Sequence, residues 1–120
     1  MTAAPTSVLI VDDEEDICLL LRIRLTAEGF AIVGIAAGGA EAIRLYRELS
    51  PDVVVMDLLM PNVSGFEAIA TIRAEYPQSK IVAHSGVAGD FVREAMDKAG
   101  IPVVLKSGDL SALVRTMRSL

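Results

Sequence analysis

The chain has 120 residues, 52% hydrophobic and 22% charged, which fits one compact domain and leaves no room for a second. Eleven basic and sixteen acidic residues give a formal charge of -5, and the basic residues are scattered, which argues against direct nucleic-acid binding. Cys18 has no partner for an internal disulfide, and one His with one Cys leaves too few ligands for structural zinc.

The opening "MTAAPTS" lacks a basic n-region, and the apolar run after it is far too short to span a bilayer, so the expectation is a cytoplasmic protein with no membrane partner. Residues 1–6 read as a short tail before a core of about 7–120. "VLIV" at 8–11 predicts the first strand, ending in Asp12 and Asp13. In the first helix Ile17, Leu20, Leu21 and Leu25 have core spacing, Leu19 and Ile23 point elsewhere, and Gly29 suits the C-terminal cap. "FAIVGI" at 30–35 predicts strand 2, Gly38 and Gly39 a loop, and Ala42, Ile43, Leu45, Tyr46 and Leu49 the apolar side of helix 2.

"VVVM" at 53–56 predicts strand 3 and runs straight into Asp57. Ser64 and Glu67 have capping-box spacing for helix 3, which Pro77 closes. "KIVAH" at 80–84 predicts strand 4, followed by Ser85, and Gly100 ends helix 4. "PVVL" at 102–105 predicts strand 5, followed by Lys106, and Leu110, Leu113, Val114 and Met117 have the spacing of a fifth helix. Apolar strands alternating with helices imply an α/β, doubly wound parallel sheet with helices on both faces.

Ligands of such sheets gather beyond the carboxyl ends of the strands, where strand order reverses. With the order 2-1-3-4-5, strands 1 and 3 are neighbours, and Asp12, Asp13 and Asp57 converge at that edge, with Lys106 and Ser85 on the same rim. Clustered carboxylates raise their own pKa values or bind a cation, and oxygen ligands suit Mg2+. A carboxylate beside such a metal can attack phosphorus, which makes Asp57 a candidate phosphoacceptor. Each residue alone has a plainer reading: Asp12 and Asp13 as cap and first-turn charge of helix 1, Asp57 and Ser85 as turn residues, Lys106 as a solvated strand end. Their coincidence at one edge favours the chemical reading. His84 reads as structural, and Cys18 as a helix-surface or partly buried residue.

"VDDEE", "MDLLMPNVSGFEAI", "AHSG" and "VVLKS", in that order, resemble the response-regulator receiver domain of the CheY-like superfamily, from about Ser7 to the C-terminus. The resemblance implies a flavodoxin-like (βα)5 fold and a phosphoacceptor switch, not a turnover enzyme. Asp57 would receive a phosphoryl group from a histidine kinase or histidine phosphotransfer protein. Mg2+ would be held by Asp13 and Asp57, with Asp12 directly or through water and the Leu59 main-chain carbonyl. Lys106 would pair with one phosphoryl oxygen and the Ser85 hydroxyl with another, reshaping the face of helix 4, strand 5 and helix 5 for an output domain or partner. Kinase helices would dock beside helix 1, and a homodimer is possible.

Four positions depart from the family pattern. Val103 stands where receivers usually carry an aromatic relay residue. Ser107 replaces a proline that follows a cis bond, so the Lys106–Ser107 bond is expected either trans with a rearranged loop or cis and strained. Leu59 and Val87 stand where receivers often place polar residues that orient hydrolytic water, which implies slow self-dephosphorylation. The alternative is a receiver-like interaction or dimerisation module whose switch has decayed.

Overall fold

The computed structural model describes residues 4–86, 88–107 and 109–120. Five strands, β1 (Ser7–Val11), β2 (Ala31–Ala36), β3 (Val53–Met56), β4 (Ile81–Ser85) and β5 (Val103–Leu105), alternate with five helices, α1 (Glu15–Ala27), α2 (Gly39–Leu49), α3 (Gly65–Glu75), α4 (Asp90–Ala99) and α5 (Leu110–Arg118). All neighbouring strands pair in parallel, and the order is β2-β1-β3-β4-β5. The expected topology therefore holds, with β3 at the expected residues and the other strands differing by one residue at one or both ends.

Side chains of the central strands alternate between two cores, which is why β1, β3 and β4 read as unbroken apolar runs. Leu9, Val54, Met56 and Ala83 meet Ala42 and Tyr46 of α2, Ala68 and Ile72 of α3 and Met96 of α4. Val8, Ile10, Val55 and Val82 meet Leu21 and Leu25 of α1 and Leu113, Val114 and Met117 of α5.

Local signals account for the helix ends. The Ser64 side chain accepts a hydrogen bond from the Glu67 N–H and starts α3. Gly29 (φ 95°) follows α1 and Gly100 (φ 69°) caps α4, both in the left-handed region that favours glycine. Arg73 ties the end of α3 to its surroundings, its guanidinium donating to the Ser79 carbonyl at 3.1 Å and to the Ala99 carbonyl, at the end of α4, at 2.6 Å.

The phase of α1 differs from expectation. Its buried side is Cys18, Leu21 and Leu25, whereas Leu20 is 55% exposed and joins Leu19 and Ile23 on the outer surface. Cys18 takes the inner place because its short side chain lies against the end of β1, the thiol donating to the Asp12 carbonyl at 3.3 Å. It is buried, not a surface residue.

Candidate functional site

Strand register builds the acidic edge. Val11 pairs with Met56, so Asp12 and Asp57 emerge side by side, held by the Asp12 N–H on the Ala36 carbonyl (3.0 Å) and the Asp57 N–H on the Val11 carbonyl (2.9 Å). Asp13 follows in the exposed turn before α1. One carboxylate oxygen from each of Asp12, Asp13 and Asp57 lies within 4.8 Å of the others. Asp12 is not the cap of α1, a position that Glu14 holds, but its Oδ1 accepts the Glu14 N–H at 2.9 Å.

Gly65 lets α3 start against this edge. A Cβ there would meet the Asp57 carbonyl oxygen and lie 2.7 Å from Leu58 Cα, while the Gly65 N–H donates to the Leu58 carbonyl at 3.0 Å. Gly39 similarly lets the start of α2 approach the β3–α3 loop, donating its N–H to the Val63 carbonyl. Gly39 is thus the first residue of α2 and not part of the expected loop, and it serves packing, whereas a Cβ at Gly38 would meet nothing within 4 Å.

Lys106 follows β5, with its N–H on the Ser85 carbonyl at 2.9 Å. Its ammonium crosses β4 to stand 2.8 Å from Asp12 Oδ2, 3.2 Å from Asp57 Oδ2 and 3.2 Å from Glu14 Oε1. No cis peptide bond occurs among the described residues. The Lys106–Ser107 bond is thus trans, and the lysine still reaches both buried aspartates. Asp57 Oδ1 accepts from the Leu59 N–H at 3.4 Å. Ser85 is fully buried at the end of β4.

Burial and the neighbouring Asp12 push the Asp57 carboxyl up to about 6, against the opposing pull of Lys106. Burial works against the charge of Lys106, but its contact with Asp12 and the fields of Asp57, Asp12 and Glu14 raise its pKa above the ordinary lysine value. His84, buried at the end of β4, has its pKa lowered by burial and then by Lys106. The Cys18 thiol is held protonated by burial and by Asp12. Sequence reasoning gave Glu14 no role in this site, whereas its side chain accepts from Lys106 at 3.2 Å.

Among the described residues, a larger cavity of about 480 Å³ lies at the opposite edge of the sheet, between Phe30, Asp52, Lys80 and Leu120, and shares no residue with the acidic edge. A smaller cleft of about 350 Å³ runs from Asp12 and Asp13 along α1 to Leu19 and Ile35.

The family model for the response regulator receiver domain matches residues 8–118. The chain is a response-regulator receiver domain. This receiver is 33% identical over 114 residues to the chemotaxis protein CheY of Thermotoga maritima, covering 94% of this chain and 95% of that protein. It is 35% identical over 113 residues to the transcriptional regulatory protein LiaR of Bacillus subtilis, covering 93% of this chain but 50% of LiaR. It superimposes with a TM-score of 0.91 on a chain of the CheX-CheY-BeF3-Mg2+ complex from Borrelia burgdorferi, at 26% identity, covering 96% of this chain and 88% of that one. The receiver therefore belongs to two-component signalling and is a switch domain. Among its described residues no helix is long and apolar enough to cross a membrane.

The donor set fits the divalent cation that receivers bind at this edge. Three carboxylate oxygens lie within 4.8 Å, and the buried Asp12 Oδ2 accepts no hydrogen bond of good geometry. Hard oxygen donors without sulfur or imidazole suit Mg2+.

Proposed function

We propose that Asp57 is the phosphoacceptor of a Mg2+-dependent switch whose phosphoryl donor is a histidine kinase or histidine phosphotransfer protein. The observation that carries this reading is the ammonium of Lys106 poised between Asp57 and Asp12 from the far side of β4. An Asp57 carboxylate oxygen attacks the phosphorus of a phosphohistidine. The P–N bond breaks, its electron pair stays on the imidazole, and an acyl phosphate remains on Asp57. Lys106 pairs with a phosphoryl oxygen, and the Ser85 hydroxyl bonds another. Asp13, Asp57 and the Leu59 carbonyl, with Asp12 directly or through water, would hold Mg2+, which would supply positive charge to the phosphoryl group.

The chain acts as one cytoplasmic unit, without binding nucleic acid itself. Its output passes through α4, β5 and α5 to an attached domain, a partner or a second copy. Val103 cannot relay the change by the swing of a ring. It is stiff at χ1 and packs against the same core as Met96 and Ile101. That residue favours a second reading, a module that works through constitutive contacts.

Intact-protein mass after incubation with acetyl phosphate and Mg2+ separates the two. One phosphate-sized gain, blocked by chelator and absent in Asp57→Asn, is the expected result; an unchanged mass with small donors and with a phosphorylated histidine phosphotransfer protein would put the constitutive reading first.

The lifetime of the phosphoryl group follows from its surroundings. Leu59 stands beside Asp57 with 56% exposure and offers no polar atom to orient water; Val87, the second apolar position expected there, lies outside the described residues. The phosphoprotein should decay slowly, and Leu59→Asn should shorten its half-life several-fold. Mass spectra taken at intervals without phosphatase check this, and equal decay of the two proteins would remove the shielding argument.

A further inference from the structure

The ammonium of Lys106 has three N–H donors, and three carboxylates surround it: Asp12 Oδ2 at 2.8 Å, Asp57 Oδ2 at 3.2 Å and Glu14 Oε1 at 3.2 Å. A phosphoryl oxygen on Asp57 therefore competes with these carboxylates for the ammonium, and the one that holds it with hydrogen-bond geometry is Glu14. Asp12 and Asp57 are buried at strand ends and anchored through their main chains to neighbouring strands. Glu14 differs. Its backbone is fixed, the N–H on Asp12 Oδ1 at 2.9 Å and the carbonyl accepting the Cys18 N–H at 3.1 Å, but its side chain is 62% exposed and free to leave.

We propose that Glu14 is a positioning residue for Lys106, a carboxylate that occupies the lysine's outer face until the phosphoryl group on Asp57 takes its place. This inference rests on Asp57 being the acceptor. While the site awaits phosphate, Glu14 completes the lysine's coordination and fixes its reach towards Asp57. As the phosphoryl group arrives, Glu14 competes with it for the same proton and repels an anionic donor. The side chain then swings into solvent, a short path for a residue at the start of α1.

The test compares the wild-type chain with Glu14→Gln, using acetyl phosphate in saturating Mg2+. Glu14→Gln should be phosphorylated about two- to fivefold faster at low salt, the range of one exposed ion pair. The gain should shrink as salt screens the charge, while the urea midpoint stays unchanged, which a merely structural role would not predict. An equal or slower rate at low salt would overturn the proposal. If the wild-type chain itself takes no phosphate on Asp57, the acceptor reading fails separately. The positioning contact is then read in the metal-free protein from the Lys106 Cε resonance. A shift in Glu14→Gln supports the contact, and an unmoved resonance overturns it.

Discussion

In metal-free buffer at pH 7.5, Asp57→Asn should unfold at higher urea than the wild type, by about 1–3 kcal/mol, with the advantage vanishing near pH 4. The sign follows from the direction of the shift. Burial and Asp12 raise the folded carboxyl of Asp57 to about 6, above the ordinary aspartate value of about 3.9. Below pH 4 the group is protonated in both states and costs nothing. Between the two values the folded state binds the extra proton, so stability falls as pH rises through about 6. Two units correspond to nearly 3 kcal/mol, and the weaker attraction of a neutral amide for Lys106 reduces the gain. Mg2+ should reverse the order by binding the wild-type acids. A pH-independent difference in chelator would mean that Asp57 is not destabilised by its surroundings.

Gly65→Ala should act more broadly, lowering stability by about 3 kcal/mol and depressing phosphorylation. The new methyl would meet the Asp57 carbonyl oxygen and the Leu58 main chain, neither of which can yield as a flexible side chain does, and overpacking of this kind typically costs about 1–3 kcal/mol and occasionally more. Relief requires α3 to retreat from the β3–α3 loop, breaking the hydrogen bond from the Gly65 N–H to the Leu58 carbonyl that holds this loop beside Asp57. Urea unfolding together with the rate of mass gain checks both parts; a loss below about 0.5 kcal/mol would show that the helix start moves without resistance.

Much of this architecture was legible because the strands read as apolar runs and those other than β2 end in, or run into, a polar residue. Asp12, Asp57, Ser85 and Lys106 could be placed at one edge once the strands were ordered. The phase of α1 was not legible, since Leu19, Leu20 and Leu21 in succession satisfy several helical faces equally. Burial of Cys18 against the end of β1 decides for Leu21 and leaves Leu20 outside. The Glu14 contact escaped for a different reason. It depends on the reach of a flexible side chain across to the last strand, which residue spacing does not encode. The trans bond after Lys106 shows that the lysine's reach depends on where β5 ends, without help from a proline.

The division of the site between the two halves of the chain bears on how the domain is made. All its acids lie on the first three strands and the turns after them, while Ser85 and Lys106 follow from the last two. During synthesis, which proceeds from the N-terminus, β1 and β3 can pair before any cation exists to face Asp12 and Asp57. The nascent half-domain therefore carries a concentrated negative charge at its open end, and docking of β5 completes the sheet and brings the Lys106 ammonium to that charge in the same event.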